Sequence, residues 1–432
     1  MSMPAIREAT LAPGTAAPAA GDGHRRPGAV TAGLALTYLT AATIPWTAVH
    51  VTGSISVGEV LLVIAAGVLL IADPGRRLPA LPPWVWVLTV AVLVVGVTNL
   101  YFPASQAYMG HRDQLVDNYL VTHTAALPDT NLSVSLHLAV RMVLIPLVFG
   151  LAHGYDRRAL SRVAISFVSG VAVGSLIAFL DSRHVTSIGP ALTGVPVTDN
   201  RAAGLTDHPN VIAMTCVLAL PLAVWALQAA RGSARVTAVI GLVALLLGLY
   251  ASRSRSGAVA AAVAGLVALA WLPRFRRHLP SAALILASLG AVLFVVSPGV
   301  GGSILSGLRL TGENTAGSDQ ARTIVNDQAV RDFLHSPFHG IGFEIAEQAH
   351  IVYLQALAVG GVILLAALLI YLGGALVRSA RLARTNPLAI ALFASVLGGA
   401  IFNAVQNALT PALVYLVEGL VAVLPLRSAR RA

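Results

Sequence analysis

The chain has 432 residues, of which 56% are hydrophobic and only 11% are charged, whereas soluble domains carry about a quarter charged residues. This composition excludes an ordinary soluble globular protein. The formal net charge is +10, but the arginines stand in short clusters between apolar runs, which is typical of membrane topology rather than of a nucleic-acid-binding surface. We therefore expect no nucleic acid among its partners. The single cysteine, Cys216, excludes an intramolecular disulfide.

Apolar runs recur along the whole chain, and a run of about 18 residues or more can span a hydrocarbon core about 30 Å thick. We predict an all-α fold, a polytopic membrane helical bundle of about twelve transmembrane helices, with a large external loop between spans nine and ten. Residues 1–28 are predicted to form a disordered cytoplasmic tail, and residues 427–432 a basic one. The predicted spans are 29–51, 57–73, 84–101, 134–152, 160–181, 209–230, 234–251, 255–272, 280–298, 348–376, 387–407 and 410–426.

The arginine clusters predict how these spans are oriented, because connections rich in arginine stay in the cytoplasm. With both termini in the cytoplasm, 19 of the 28 arginines fall on the cytoplasmic side. The long connections 102–133, 182–208 and 299–347 then share the other face. We expect a bacterial plasma-membrane protein, surrounded by membrane lipids, whose working face is external or periplasmic. Spans one to nine fill 29–298, an external catalytic loop fills 299–347, and spans ten to twelve fill 348–426.

Two of the nine remaining arginines, Arg253 and Arg255, stand in the short outward turn Ser252–Gly257. Positive charge on that side opposes the insertion bias and needs a reason. One interpretation is that both side chains snorkel to lipid head groups. The other is an anion site, where helix N–H groups, serine hydroxyls and guanidinium forks converge on phosphate.

Arg201 lies in a second outward segment, just before span six. Pro209 suits the first turn of that helix, and His208 is predicted to cap it. Capping and loop chemistry are slightly favoured for Asp207 and Asn210. Arg201 has no such structural role, which favours a functional one.

Arg141 lies inside span four, where a charge should face the bundle interior or a wet cavity. A buried ion pair and a substrate contact are both open for it.

The third outward segment runs from Arg322 through Arg331 and Glu347 to His350. Residues 321–334 have helical spacing, which predicts an amphipathic helix on the outer surface. This helix either positions the loop or is merely an interfacial lid. His350, at the start of span ten, is either a structural residue or part of a site on the same face.

The sequence resembles the O-antigen ligase and polymerase superfamily. The resemblance rests on the order of the segment Arg201–Asn210, the Ser-Arg-Ser-Gly turn Ser254–Gly257 and the run Arg322–His350, followed by Tyr353–Gln355 and Gly360-Gly361. It implies a helical membrane fold with a large external loop between the ninth and tenth spans.

This resemblance covers roughly residues 195–375 and implies transfer of a glycan from a polyprenyl-diphosphate-linked donor to an acceptor hydroxyl of a glycan or lipid, without metal or cofactor. Ile351-Val352 departs from the family, whose members often carry Asn there. The sequence has no Asp-x-Asp run and no phosphate-binding Gly-Lys-Ser/Thr loop, which agrees with a reaction that uses neither metal nor cofactor. The competing functions are a secondary transporter of about twelve spans and a non-catalytic assembly scaffold.

Guanidiniums can stabilise a diphosphate leaving group in place of Mg²⁺, and a base can remove the acceptor proton. The expected catalytic residues are His350, Arg255, Arg201 and Arg322. The expected diphosphate ligands are Arg201, Arg253, Arg255 and Arg322. The possible supporting residues are Arg141, His208, Asn210, Arg331 and Glu347, and Glu347 is also the rival base to His350.

Overall fold

A computed structural model of the protein describes most of the predicted spans. The structure describes residues 27–52, 55–105, 108, 131–198, 200–276, 316–343, 349–406, 409 and 411–425. The predicted ninth span (280–298), most of both tails, Glu347 and parts of the long connections lie outside them.

The described chain is almost entirely helical, with one short antiparallel hairpin, β1 (His50–Thr52) and β2 (Ile55–Ser56). The helices are α1 (Pro27–Thr43), α2 (Val57–Ala72), α3 (Pro83–Tyr101), α4 (Asn131–Tyr155), α5 (Ala159–Ser182), α6 (Ile188–Thr193), α7 (Pro209–Ala229), α8 (Ser233–Ser252), α9 (Arg255–Trp271), α10 (Pro273–Arg276), α11 (Ala316–His335), α12 (Val352–Ala383), α13 (Pro387–Asn403) and α14 (Val414–Val423).

A helix occupies each predicted span except the ninth, which is not described. Six described helices are long and apolar enough to cross a membrane, namely α3, α4, α5, α7, α8 and α12. Four shorter helices, α2, α9, α13 and α14, are also apolar. The protein is therefore a helical membrane protein, and the number of twelve spans stays a prediction.

The predicted first span extends too far, because α1 ends at Thr43 and not at residue 51. Pro45 disfavours helical backbone at the residue before it, which explains this end. The following residues turn into the hairpin. Ser56 then caps α2, since its hydroxyl accepts from the Glu59 N–H while the Glu59 carboxylate accepts from Ser56 N at 2.8 Å.

Helix α12 is longer at its far end than predicted, reaching Ala383 instead of residue 376. Its Arg378 guanidinium donates to the carbonyl oxygens of Val421 and Leu424 at 2.9 and 2.8 Å. These carbonyls belong to the last turn and the C-cap of α14, so the added part of α12 carries an arginine that caps a neighbouring helix end.

Helix α7 forms the centre of the bundle and packs against α5, α8, α9 and α13. Of its most apolar 18-residue stretch, 89% is buried, against 22% for α8. Small residues allow close approach: a Cβ on Gly398 of α13 would lie 2.7 Å from the Cβ of Ala264 in α9. Several of the predicted site residues lie at the N-terminus of this central helix.

Helix α12 is broken at Gly361, whose φ of 61° and ψ of −157° are not helical. The break frees the carbonyls of Ala358 and Val359, which accept from the N–H groups of Ile341 and Gly342, both at 2.9 Å. In return, Val362 N donates to the Pro337 carbonyl at 2.9 Å. The segment after α11 is thus docked into the break by backbone hydrogen bonds.

Glycines make this docking possible. A Cβ on Gly340 would lie 2.2 Å from the carbonyl carbon of Val359, and both Gly340 and Gly342 have positive φ. The Gly-Ile-Gly and Gly-Gly motifs therefore form one joint between the loop and α12.

Candidate functional site

The first part of the site is built around Arg201. Its neighbour Ala202 donates a backbone hydrogen bond to Ala251 at 3.3 Å, so this loop lies along the end of α8. The Arg201 Nε donates to the Ser252 carbonyl at 3.0 Å, and Nη2 donates to Asn210 Oδ1 at 3.0 Å. Arg201 thereby ties the C-terminus of α8 to the first turn of α7. The expectation that Arg201 has no capping role is wrong, because its side chain binds the last carbonyl of α8.

His208 caps α7, as the sequence predicts. Its φ of −153° and ψ of 147° are extended, and its ring Nδ1 accepts from Asn210 N at 3.0 Å. Asp207 serves the loop instead, since its Oδ1 accepts from the Thr47 hydroxyl at 3.0 Å. Asn210 does both, because its side chain holds Arg201 while its backbone completes the cap.

The turn between α8 and α9 brings a second pair of arginines beside this loop. Arg253 ends α8 with a left-handed φ of 49°, and Ser254 caps α9 by accepting from Gly257 N at 3.2 Å. Arg253 and Arg255 are both half-buried. Since Arg201 binds the carbonyl of Ser252, the three arginines belong to one region, which we call the N-terminal half of the site (residues 198–210 and 251–257).

The other part of the site comes from α11 and the start of α12. Helix α11 includes the predicted helix 321–334. Its Asn326 Oδ1 accepts from His350 N at 3.1 Å, which fixes the backbone just before α12. Arg322, one turn before Asn326, is half-buried. We call residues 322–350, as far as they are described, the C-terminal half of the site.

Groups from both halves of the site affect the pKa of one residue, His208. Burial, followed by the positive charges of Arg201, His350 and Arg322, lowers the pKa of His208 to about 4. Burial and then Arg322 also lower the pKa of His350. Residues from three distant segments of the sequence therefore surround one place. These groups crowd the ring, yet His208 as a whole residue is exposed, so part of its surface is open to solvent.

The two histidines differ in how their rings are held. The Nδ1 of His208 accepts a backbone N–H, whereas the buried Nδ1 of His350 has no hydrogen-bond partner among the described residues. The two rings therefore stand in different hydrogen-bonding environments.

Three expected residues are not placed among these groups. Arg141 forms an ion pair with Glu59 of α2, with side-chain exposures of 17% and 15%. This is one of the two roles left open for it, and the pair lines an otherwise apolar groove of about 320 Å³ between α2 and α4. Arg331 is exposed on α11, and Glu347 lies outside the described residues. Within the described part of the chain, no group of three His, Cys, Asp or Glu side chains could hold a metal.

Sequence reasoning missed a clamp on α11. The Tyr108 hydroxyl donates to Asp332 Oδ1 at 2.7 Å, Gln328 Nε2 donates to the same oxygen at 2.8 Å, and Tyr108 stacks on His335 with ring centroids 3.8 Å apart. Gln328 and Asp332 are both buried and one helical turn apart. Two polar residues one turn apart on an otherwise apolar helix face were a sign of this contact in the sequence. No sequence pattern pointed to Asn326 or Tyr108.

Residues 240–369 match the family described as O-antigen ligase. The resemblance predicted from the sequence is confirmed over these residues. No curated protein matches the chain. The O-antigen ligase match includes the Ser254 turn, Arg322, His350 and the break at Gly361. Arg201 and His208 precede the matched residues, and Arg201 contacts them through the Ser252 carbonyl. It supports a membrane protein with glycosyl-transferring activity and does not favour a transporter.

Proposed function

We propose that the chain transfers a glycan from a polyprenyl-diphosphate donor to an acceptor hydroxyl of a glycan or lipid, at the outer face of a bacterial plasma membrane. The observation that carries this proposal is the hydrogen-bonded group of Arg201, Asn210 and His208, together with the effect of Arg322 and His350 on the pKa of the His208 ring. Guanidiniums beside an uncharged imidazole suit a reaction that produces an anion and removes a proton.

The arginines act on the leaving group. Transfer breaks the bond between the anomeric carbon and the diphosphate oxygen, and polyprenyl diphosphate departs with the bonding electrons. Arg201 and Arg255 hold the diphosphate, with Arg253 beside them, and Arg322 closes the site from α11. Fixed guanidiniums stabilise the charge that gathers on these oxygens, so the reaction needs no divalent metal.

His350 acts on the acceptor. The acceptor oxygen forms the new bond to the anomeric carbon, and its proton passes to Nε2 of His350. Burial and Arg322 lower the pKa of this ring, which keeps it unprotonated and ready to accept at neutral pH. Glu347, three residues earlier in the chain, is the rival base.

Purified protein tests the reaction directly. We expect it to move glycan from a polyprenyl-diphosphate-linked donor to an acceptor, and to keep its turnover in excess chelator. A deletion strain should accumulate the lipid-linked intermediate and lack the finished envelope glycan. Donor that is bound but never consumed would contradict the proposal. So would activity that chelator abolishes and Mg²⁺ restores.

Labelling tests the proposed face. In a Cys216→Ser background, Thr315→Cys should react with an impermeant reagent on intact cells, since 299–347 is proposed to be external. Labelling only after permeabilisation would place the loop, and the site with it, in the cytoplasm.

A further inference from the structure

The N-terminal cap of α7 fixes the proton of His208. Asn210 N donates to Nδ1 of the ring at 3.0 Å. A ring nitrogen that accepts a hydrogen bond carries no proton, so the neutral imidazole must carry its proton on Nε2. Capping a helix thus leaves His208 with one free function, an N–H donor on the far side of the ring.

The surroundings of His208 are rich in positive charge. Asn210, which donates to the ring, also accepts from Arg201 at 3.0 Å. Arg322 and His350 approach from the other half of the site, and both disfavour a positive charge on His208. An exposed neutral donor among guanidiniums complements a ligand with several anionic oxygens, because each oxygen needs more than one donor.

We propose that His208 is a phosphate-binding residue, whose Nε2–H donates to a non-bridging oxygen of the lipid-linked diphosphate beside Arg201. This inference rests on the proposed function and gives the capping histidine a second task. His208 is not a base in the reaction, since one ring nitrogen is occupied by the cap and the other already carries the proton. The two histidines of the site therefore divide the work: one donates to the donor diphosphate, and the other accepts from the acceptor.

Two substitutions separate the cap from the phosphate contact. In His208→Asn, the side-chain oxygen lies where Nδ1 does, so the cap is kept while the distal donor is lost. In His208→Gln, the amide reaches the position of Nε2, so a donor is kept while the cap is weakened. If His208 only caps α7, Asn should replace it well and Gln poorly. If it binds phosphate, the order of the two variants in ligand binding is reversed.

The measurement is the binding of polyprenyl diphosphate without glycan to the detergent-solubilised full chain, with the melting temperature recorded for each variant. A hydrogen bond to a charged group typically changes affinity by about tenfold or more. We expect His208→Asn to bind about tenfold more weakly at an unchanged melting temperature, and His208→Gln to bind nearly as well as the wild type at a lower one. Inorganic diphosphate, run in parallel, shows whether the lipid is required.

The outcomes distinguish this inference from the proposed function. His208→Asn that binds polyprenyl diphosphate like the wild type overturns the role of His208, whatever the transfer assay shows. A wild-type protein that binds the ligand but transfers no glycan overturns the proposed function, while the order of the two variants still decides the phosphate contact.

Discussion

The two halves of the site are held in place by different means. In the N-terminal half, Arg201 bridges two helix ends through its own side chain, at 3.0 Å to each partner. In the C-terminal half, the position of His350 depends on the hydrogen bond from its backbone to Asn326 and on the loop docked at Gly361. Under the proposed function, the first half would hold the anionic diphosphate in a preformed arrangement, and the second would position the base against it. Substitutions should affect the two halves in separable ways.

The largest effect is expected from breaking the joint with Gly361→Ala. A Cβ there would lie 2.4 Å from the Pro337 oxygen, on a backbone with φ of 61° that essentially only glycine adopts. The strain and the clash together should cost about 2–5 kcal/mol of stability and abolish transfer. Thermal unfolding in detergent and a transfer assay measure both.

Gly373→Ala is the matched control, because it lies in the same helix and nothing stands within 4 Å of its added Cβ. It should match or exceed the stability of the wild type. Equal melting temperatures for the two variants would show that the docked loop does not depend on Gly361.

The next largest effect is expected for His350→Ala, which leaves the backbone bond to Asn326 in place. Loss of a general base typically lowers the rate by about 10²–10⁴-fold, and donor binding should remain nearly intact. The pKa of His350 is lowered from its usual value near 6.5, so wild-type activity should fall only as the pH drops below that value and protonates the ring. The capping ring of His208, whose pKa is about 4, stays neutral at the pH values where His350 becomes protonated.

Single-turnover rates measured against pH test this assignment. The acidic fall in activity should disappear in His350→Ala. If the fall persists and Glu347→Ala removes it instead, the base is Glu347. If His350→Ala loses donor binding while bound donor is still transferred at the wild-type rate, His350 binds the donor and is not the base.

A smaller effect is expected when Arg255→Lys changes the N-terminal half. The ammonium keeps the charge but not the bidentate fork that grips phosphate oxygens. Loss of one such contact should lower transfer by about 10²-fold, with weaker binding of the donor and no change in the acidic fall of the pH profile. Arg276→Lys, on an exposed arginine of α10 predicted to face the cytoplasm, should be silent. Severe loss at Arg276 with normal expression would mean that the working face is reversed.

What the sequence predicts and what it misses follow from the range of the interactions. Pro209 and His208 could be placed at the start of α7 because a cap is a local pattern, and Pro45 could have corrected the end of α1 for the same reason. The Glu59 partner of Arg141 is 82 residues away, and no periodicity links them. Gly361 could be singled out as a motif, but only the fold shows that residues 337–342 pair with it.

The smallest effect is expected for Tyr108→Phe, which tests whether the C-terminal half needs support from the first long connection. The phenyl ring can still stack on His335, but the hydrogen bond of 2.7 Å to Asp332 is lost. Asp332 is fully buried and keeps Gln328 as a partner, so the cost should be about 1–2 kcal/mol. Because α11 carries both Asn326 and Arg322, we expect a several-fold lower transfer rate. Binding of polyprenyl diphosphate should weaken less than in Arg255→Lys, since Arg201 and Arg255 lie in the other half of the site and stay in place. Tyr101→Phe is the control, since that side chain is 73% exposed at the end of α3 and should be silent. If Tyr108→Phe weakens diphosphate binding as much as Arg255→Lys does, the effects of substitutions in the two halves are not separable.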